Sequence, residues 1–397
     1  MVLYARSMKL VISFSLVTLV VSVVTFSFIP VIARLLSISE FGRFSLYYTV
    51  VLNLTPVILF GASTKLTIAR SGGLSSRQIS VFFGWLSSGV VVTVILCFFL
   101  TGVVWEGVPI LILLALCRAG FLMHTTQLRL DERLVQFCYW QLSVVTLSFL
   151  VPISFMILFE IRVLEFVGLM IPAYLVSILF FFRANVFGRE MKWDWGQMFP
   201  LVVFGAGAAS HSLVGALLTS GGRYVSVVYL GAEEVGVYML AAQLVAIITL
   251  LFSTVIQNVT PEFYRKLNKY SEGQVLKSFV LKLCISVAVV IFFFWLSLDW
   301  VVHLFFPVEY YGAVAVAKIM AIGAGFQGGY MLLSNYVFFK GRSFSMAGAS
   351  SIVGVLGLAA GTALSSCYGL TGLAVAYVIG WCLLFVVVGW LALRLAR

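Results

Sequence analysis

The 397 residues are 62% hydrophobic and 10% charged, with mean hydropathy +1.13 and a formal net charge of +11. Such a composition excludes a soluble globular core and points to a polytopic membrane protein. Three scattered histidines and six cysteines without Cys-x-x-Cys spacing exclude a metal constellation and a redox motif.

Twelve apolar segments follow in chain order: Val11–Ala33, Phe44–Ala62, Ile79–Val104, Val108–Leu128, Val135–Phe159, Leu164–Phe182, Met198–Ser220, Val235–Val259, Val275–Leu298, Gly312–Phe339, Phe344–Ser366 and Leu370–Leu393. As helices each measures about 28–42 Å, enough to cross a hydrocarbon core of about 30 Å. The first is expected to be a membrane helix and not a cleaved signal, since no small-residue cleavage site follows it. Ser15, Thr18, Ser22 and Thr25 share one face of it, and Ser45, Thr49, Asn53 and Pro56 share one face of the second. Such faces suit either a polar cavity or hydrogen bonding between helices.

Basic residues at depth are the sharper signal. Arg118 lies near the middle of the fourth span, where an arginine costs about 2.5–3.5 kcal/mol on insertion scales. It is either a substrate contact or a structural arginine held between helices. The seventh span contains Gly205-Ala206-Gly207-Ala208-Ala209 and His211, and ends in Ser220-Gly221-Gly222 before Arg223. The paired glycines are either a candidate bend or, as membrane glycines more commonly are, a place of tight packing. Arg34 and Arg223 fall near the ends of the first and seventh spans, as substrate contacts or interfacial anchors. Lys282 and Lys318 sit about two turns inside theirs, within reach of snorkelling. Gln243, Gln327 and Asn335 are further polar candidates, and the pairs Gly325/Gly329 and Gly357/Gly361 have the spacing of close helix packing.

All fourteen Asp and Glu residues fall in loops or near segment ends. Cation exporters generally need a carboxylate at depth to neutralise substrate or bind a coupling ion. A cavity with only positive charge suits an anion, above all a diphosphate matched by guanidinium forks. The absence of a Gly-x-x-x-x-Gly-Lys-Ser/Thr loop argues against an ATP-driven pump.

Charge also orients the chain. With both termini cytoplasmic, eighteen of the 25 Lys/Arg lie on the inside, and only Arg34, Arg43, Arg162 and Arg223 lie outside; Arg118, Lys282 and Lys318 are within spans. The excess of basic loops then faces an anionic inner leaflet and needs no nucleic acid to explain it.

The chain repeats itself once. Leu36-Ser37-Ile38-Ser39-Glu40-Phe41-Gly42-Arg43-Phe44 parallels Leu230-Gly231-Ala232-Glu233-Glu234-Val235-Gly236-Val237-Tyr238 at an offset of 194. Each has a short loop, an acid, an apolar residue, a glycine and an aromatic. The parallel predicts two six-helix lobes, residues 1–190 and 191–397, related by a pseudo-two-fold axis along the membrane normal.

Ile29-Pro30-Val31-Ile32-Ala33-Arg34-Leu35-Leu36 with Glu40-Phe41-Gly42-Arg43-Phe44 resembles the opening of bacterial polysaccharide flippases. These form the Wzx-type branch of the multidrug/oligosaccharidyl-lipid/polysaccharide exporter superfamily. Glu234-Val235-Gly236-Val237-Tyr238-Met239-Leu240-Ala241, with Pro261 beyond, is similar to that family's second-lobe start, and Tyr368-Gly369-Leu370-Thr371-Gly372-Leu373-Ala374-Val375-Ala376 to its last helix. One departure is Gly221-Gly222 before Arg223, where the family often has an acid or amide.

The resemblance implies an O-antigen-type flippase of the bacterial inner membrane, not an enzyme and without a cofactor. It would move an isoprenoid-diphosphate-linked oligosaccharide by alternating access, with a polysaccharide polymerase and a chain-length regulator as partners. Arg34, Arg118, Arg223, Lys318, Asn53, His211 and Gln243 are the expected cavity residues. The competing readings are a multidrug cation exporter of the same fold and a membrane-embedded polymerase or glycosyltransferase. The short outside loops disfavour the last.

Overall fold

A computed structural model describes residues 2–60, 107–185, 209, 214–216, 218–267, 269–340 and 342–396. The third predicted span, most of the seventh, His211 and Gly205-Ala206-Gly207-Ala208 lie outside the described residues. Within them the chain is helical throughout: α1 (Val2–Leu35), α2 (Ile38–Leu59), α3 (Val108–Leu130), α4 (Leu134–Phe159), α5 (Val163–Gly168), α6 (Ile171–Asn185), the helical residues 218–229, α7 (Ala232–Leu267), α8 (Glu272–Phe305), a 3-10 turn (Val308–Tyr310), α9 (Ala313–Phe339) and α10 (Ser343–Leu395). Seven of the described helices are long and apolar enough to cross a bilayer. Leu158, Phe293 and Trp300 are each more than 60% exposed, a surface that suits acyl chains and not water. The protein is an all-α, polytopic membrane protein.

Two helices depart from the spans read in the sequence. The predicted segment Leu164–Phe182 divides into α5 and α6 at a turn over Leu169 and Met170. Pro172 lies just beyond and cannot donate to the Gly168 carbonyl, so a continuous ladder is lost there and a new helix starts with proline in its first turn. Conversely, α10 joins two predicted spans. A straight helix of its 53 residues would be about 80 Å long, far beyond one bilayer crossing. Gly369, at φ 55° and ψ −134°, divides it into two arms. The turn is tight: a side chain at Gly372 would run into the Leu364 carbonyl.

The chain packs as two compact units, Met1–Leu35 with Tyr47–Leu213, and Leu36–Leu46 with Val214–Arg397. In the first, α1 lies on α4, and α6 on α3 and α4; Phe14 meets Phe137 edge-on at 5.0 Å. In the second, α9 is the central helix, packed by α7, α8 and α10. The first two turns of α2 belong to this second unit, and the rest of α2 to the first.

The repeated sequence element explains that placement. In α2 the Glu40 carboxylate turns back to accept hydrogen bonds from the Ser37 backbone N–H (3.0 Å) and hydroxyl (2.7 Å). These bonds hold the Glu40 carboxyl below its usual range. In α7 the equivalent acid, Glu234, accepts from the Gly231 N–H at 3.1 Å. Both acids satisfy otherwise orphaned donors and complement the positive end of a helix dipole. The repeated glycines then meet one another. A Cβ at Gly42 would stand 3.2 Å from the Gly236 nitrogen, and one at Gly236 would stand 2.6 Å from Ile38 Cγ1. Gly236 thus has no room for a side chain where the helix starts cross, and Gly42 has little to spare. Phe41 of the same turn is fully buried and meets Tyr310 edge-on at 5.5 Å.

Candidate functional site

In the first unit the polar centre is Arg118. Its helix, α3, buries Cys117 and Ala119 on either side, which fixes the arginine's direction. Arg118 Nη1 donates to the Tyr48 hydroxyl of α2 at 3.1 Å and to the Tyr174 hydroxyl of α6 at 3.4 Å. The guanidinium carbon stands 5.7 Å from the Tyr48 ring centroid, within cation–π range. Phe149 and Phe121 brace the two tyrosine rings edge-on at 6.0 and 5.5 Å. No carboxylate pairs with Arg118 among the described residues. Its positive charge is therefore oriented by neutral phenols and not cancelled. Both Nη1 hydrogens are used, while the Nε–H and Nη2 edge has no partner among the described residues. That edge is the one a phosphate takes in a bidentate contact.

The second unit holds an arginine in comparable company. Arg223 lies on the helical residues 218–229, within electrostatic reach of Tyr238, Tyr377 and Tyr224. The Tyr377 hydroxyl donates to Gln327 Oε1 at 3.2 Å, and Thr249 donates to the same oxygen at 3.0 Å. Gln327 is almost fully buried, so these bonds satisfy an amide that would otherwise be costly. Of the two readings of Gly221-Gly222, packing is the one that fits: residues 218–229 are one helical run without a break. The glycines admit neighbours. A side chain at Gly221 would collide with Leu358, and one at Gly222 with the Tyr238 hydroxyl.

The other predicted residues are dispersed. Gln243 donates to Ser45 Oγ at 2.7 Å, at the crossing of α2 and α7. Lys318 is ion-paired with Asp299 of α8 at 2.5 Å. Arg34 is exposed in the last turn of α1, and Asn53 is half-buried on α2. The serine/threonine face of α1 turns inward on its own backbone: Thr18, Ser22 and Thr25 each bond the carbonyl four residues earlier. Asn335 donates to Thr260 at 3.0 Å. Sequence reasoning passed over the tyrosines. Tyr48, Tyr174, Tyr238 and Tyr377 all lie in apolar runs, where a tyrosine has no distinguishing period.

The fold is that of transporters of the multidrug/oligosaccharidyl-lipid/polysaccharide superfamily. The chain superposes on the outward-facing form of a multidrug resistance MATE family transporter with a TM-score of 0.71 and 12% identity, over 98% of this chain and 96% of that one. It superposes on the lipid II flippase MurJ in an inward closed conformation with a TM-score of 0.71 and 14% identity, over 96% of this chain and 87% of that one. A third similar structure is a superfamily transporter from Pyrococcus furiosus described by the reverse polarity of its binding pocket, with a TM-score of 0.66 and 12% identity, over 98% and 96% of the two chains. No family model and no curated protein sequence matches.

Proposed function

We propose that the protein is a flippase that moves an isoprenoid-diphosphate-linked oligosaccharide from the inner to the outer leaflet of the bacterial cytoplasmic membrane by alternating access. In this reading twelve helices form two six-helix lobes, residues 1–190 and 191–397, with both termini cytoplasmic. The observation that carries it is Arg118, a deep guanidinium held by two phenols, with no carboxylate partner among the described residues and one fork edge open. Such a group attracts a diphosphate and repels a cation. Arg223, within electrostatic reach of Tyr238, Tyr377 and Tyr224, is proposed as a second positive centre. Arg34 and Asn53 are proposed to contact the glycan or diphosphate, and His211 is retained on sequence grounds. Gln243 acts at the helix crossing, and Lys318, paired to Asp299, is assigned a structural part. A polysaccharide polymerase and a chain-length regulator would act on the exported unit.

A multidrug exporter is the second reading, favoured by the likeness to MATE transporters. Deleting the gene in its host separates the two. A flippase deletion accumulates lipid-linked oligosaccharide on the cytoplasmic leaflet. Unchanged lipid intermediates together with raised sensitivity to cationic drugs would favour the exporter.

A further inference from the structure

A crevice of about 220 Å³ opens between α7, α8 and α9. Its apolar walls include Ile256 and Val259 of α7, Leu283 of α8 and Leu332 of α9. Two lysines line it, Lys266 from the last turn of α7 and Lys282 from α8. The Lys266 ammonium stands 5.2 Å from the centroid of Phe279, a ring that also lines the crevice. Lys282 is exposed and makes no ion pair among the described residues. Glu272, which opens α8, does not serve Lys282: it accepts hydrogen bonds from Lys340 and Tyr336, each at 2.7 Å.

Depth decides what this arrangement attracts. The 34 residues of α8 span about 51 Å, some 20 Å more than a hydrocarbon core of about 30 Å. With the helix centred, about 10 Å projects at each end. Lys282, ten residues along, then starts about 5 Å inside the apolar boundary, from where its side chain reaches the headgroup level. Two ammonium groups beside an apolar wall at that level complement a phosphate that carries acyl chains.

We propose that this crevice binds an anionic phospholipid, with the phosphate held by Lys266 and Lys282 and the first part of an acyl chain lying against Ile256, Val259, Leu283 and Leu332. The remainder of the chains would run along the exposed face of α8, past Ile285, Val289 and Phe292. The leaflet, cytoplasmic by the distribution of Lys and Arg, rests on the proposed topology; the binding itself does not.

The test uses the purified full chain in a neutral detergent, titrated with phosphatidylglycerol or phosphatidylcholine, with bound lipid counted by native mass spectrometry and Tm followed in parallel. Wild type should prefer phosphatidylglycerol. The double variant Lys266→Gln, Lys282→Gln should lose at least tenfold of that affinity while its weak phosphatidylcholine binding stays unchanged. Lys277→Gln removes the same charge from an exposed α8 position outside the crevice and should behave as wild type. Should the double variant fail to fold, Lys282→Gln alone carries the test, with a severalfold loss expected. Undiminished phosphatidylglycerol binding by the variants, or an equal loss in Lys277→Gln, would overturn the site. Displacement by farnesyl diphosphate at lower concentration than phosphatidylglycerol would overturn the occupant in favour of an isoprenoid diphosphate.

Discussion

Replacing Gly236 by alanine probes the crossing of α2 and α7 most directly. A Cβ there would stand 2.6 Å from Ile38 Cγ1 and 3.0 Å from the Ile38 carbonyl carbon, and nearer still to that carbonyl's oxygen. Ordinary contacts lie at about 3.5–4.0 Å, so the backbones must part by an ångström or more. Overpacking of this kind costs about 1–3 kcal/mol, while alanine in a helix gains back about 1 kcal/mol over glycine. The gain is present wherever α7 is helical, whereas the clash exists only while the crossing is closed. The closed crossing should therefore weaken by about 1–3 kcal/mol relative to an open one, or roughly 5- to 150-fold in population. Gly42→Ala is the internal comparison. Its nearest contacts would be 3.2 Å, which a shift of a few tenths of an ångström relieves, so it should be near neutral. The reporter is Ser45→Cys, at a buried position bonded to Gln243. Its maleimide labelling in membranes should be slow in the parent, faster with Gly236→Ala, and little changed with Gly42→Ala. Equal labelling in all three would refute the clash argument, as would a larger effect from Gly42→Ala.

Four further outcomes are expected. Arg118→Ala should abolish export at normal membrane insertion, and Arg118→Lys should retain a part, because charge survives without the planar fork. Tyr48→Phe with Tyr174→Phe should lower export by about tenfold or less, since the guanidinium keeps its charge and loses only its orientation; full activity of Arg118→Ala would remove the residue from the mechanism. On a background without reactive cysteines, Asp131→Cys should be labelled only from the cytoplasmic side and Glu233→Cys only from outside, and the reverse pattern would invert the topology. In proteoliposomes carrying labelled lipid-linked oligosaccharide, an imposed inside-negative potential should speed outward flipping. The potential is worth about 2.3 kcal/mol per charge per 100 mV, less whatever charge moves with the diphosphate. Flipping that ignores the potential and follows a sodium or proton gradient would require an ion site instead.

Membrane spanning was legible in the sequence because it depends on the sum of hydropathy along the chain, and a sum needs no partner. The sequence also showed the repeat, since Glu40 and Glu234 cap their own helices through bonds three residues away, within reach of a local pattern. Arg118 stood out for the same kind of reason: a guanidinium in an apolar run is costly wherever the neighbours lie. What holds it was not legible. Tyr48 and Tyr174 lie 70 and 56 residues away, on different helices, and packing alone turns their hydroxyls to one nitrogen. Gly221-Gly222 read as either a bend or a packing site, because glycine both weakens a helix and admits neighbours; contact with Leu358 and Tyr238 in an unbroken helix decided for packing. Lys318 read as either a snorkelling or a cavity lysine, and only the folded chain shows Asp299, nineteen residues back, 2.5 Å from it. Charges and glycines take their meaning from what stands opposite them, and only the tertiary structure decides what that is.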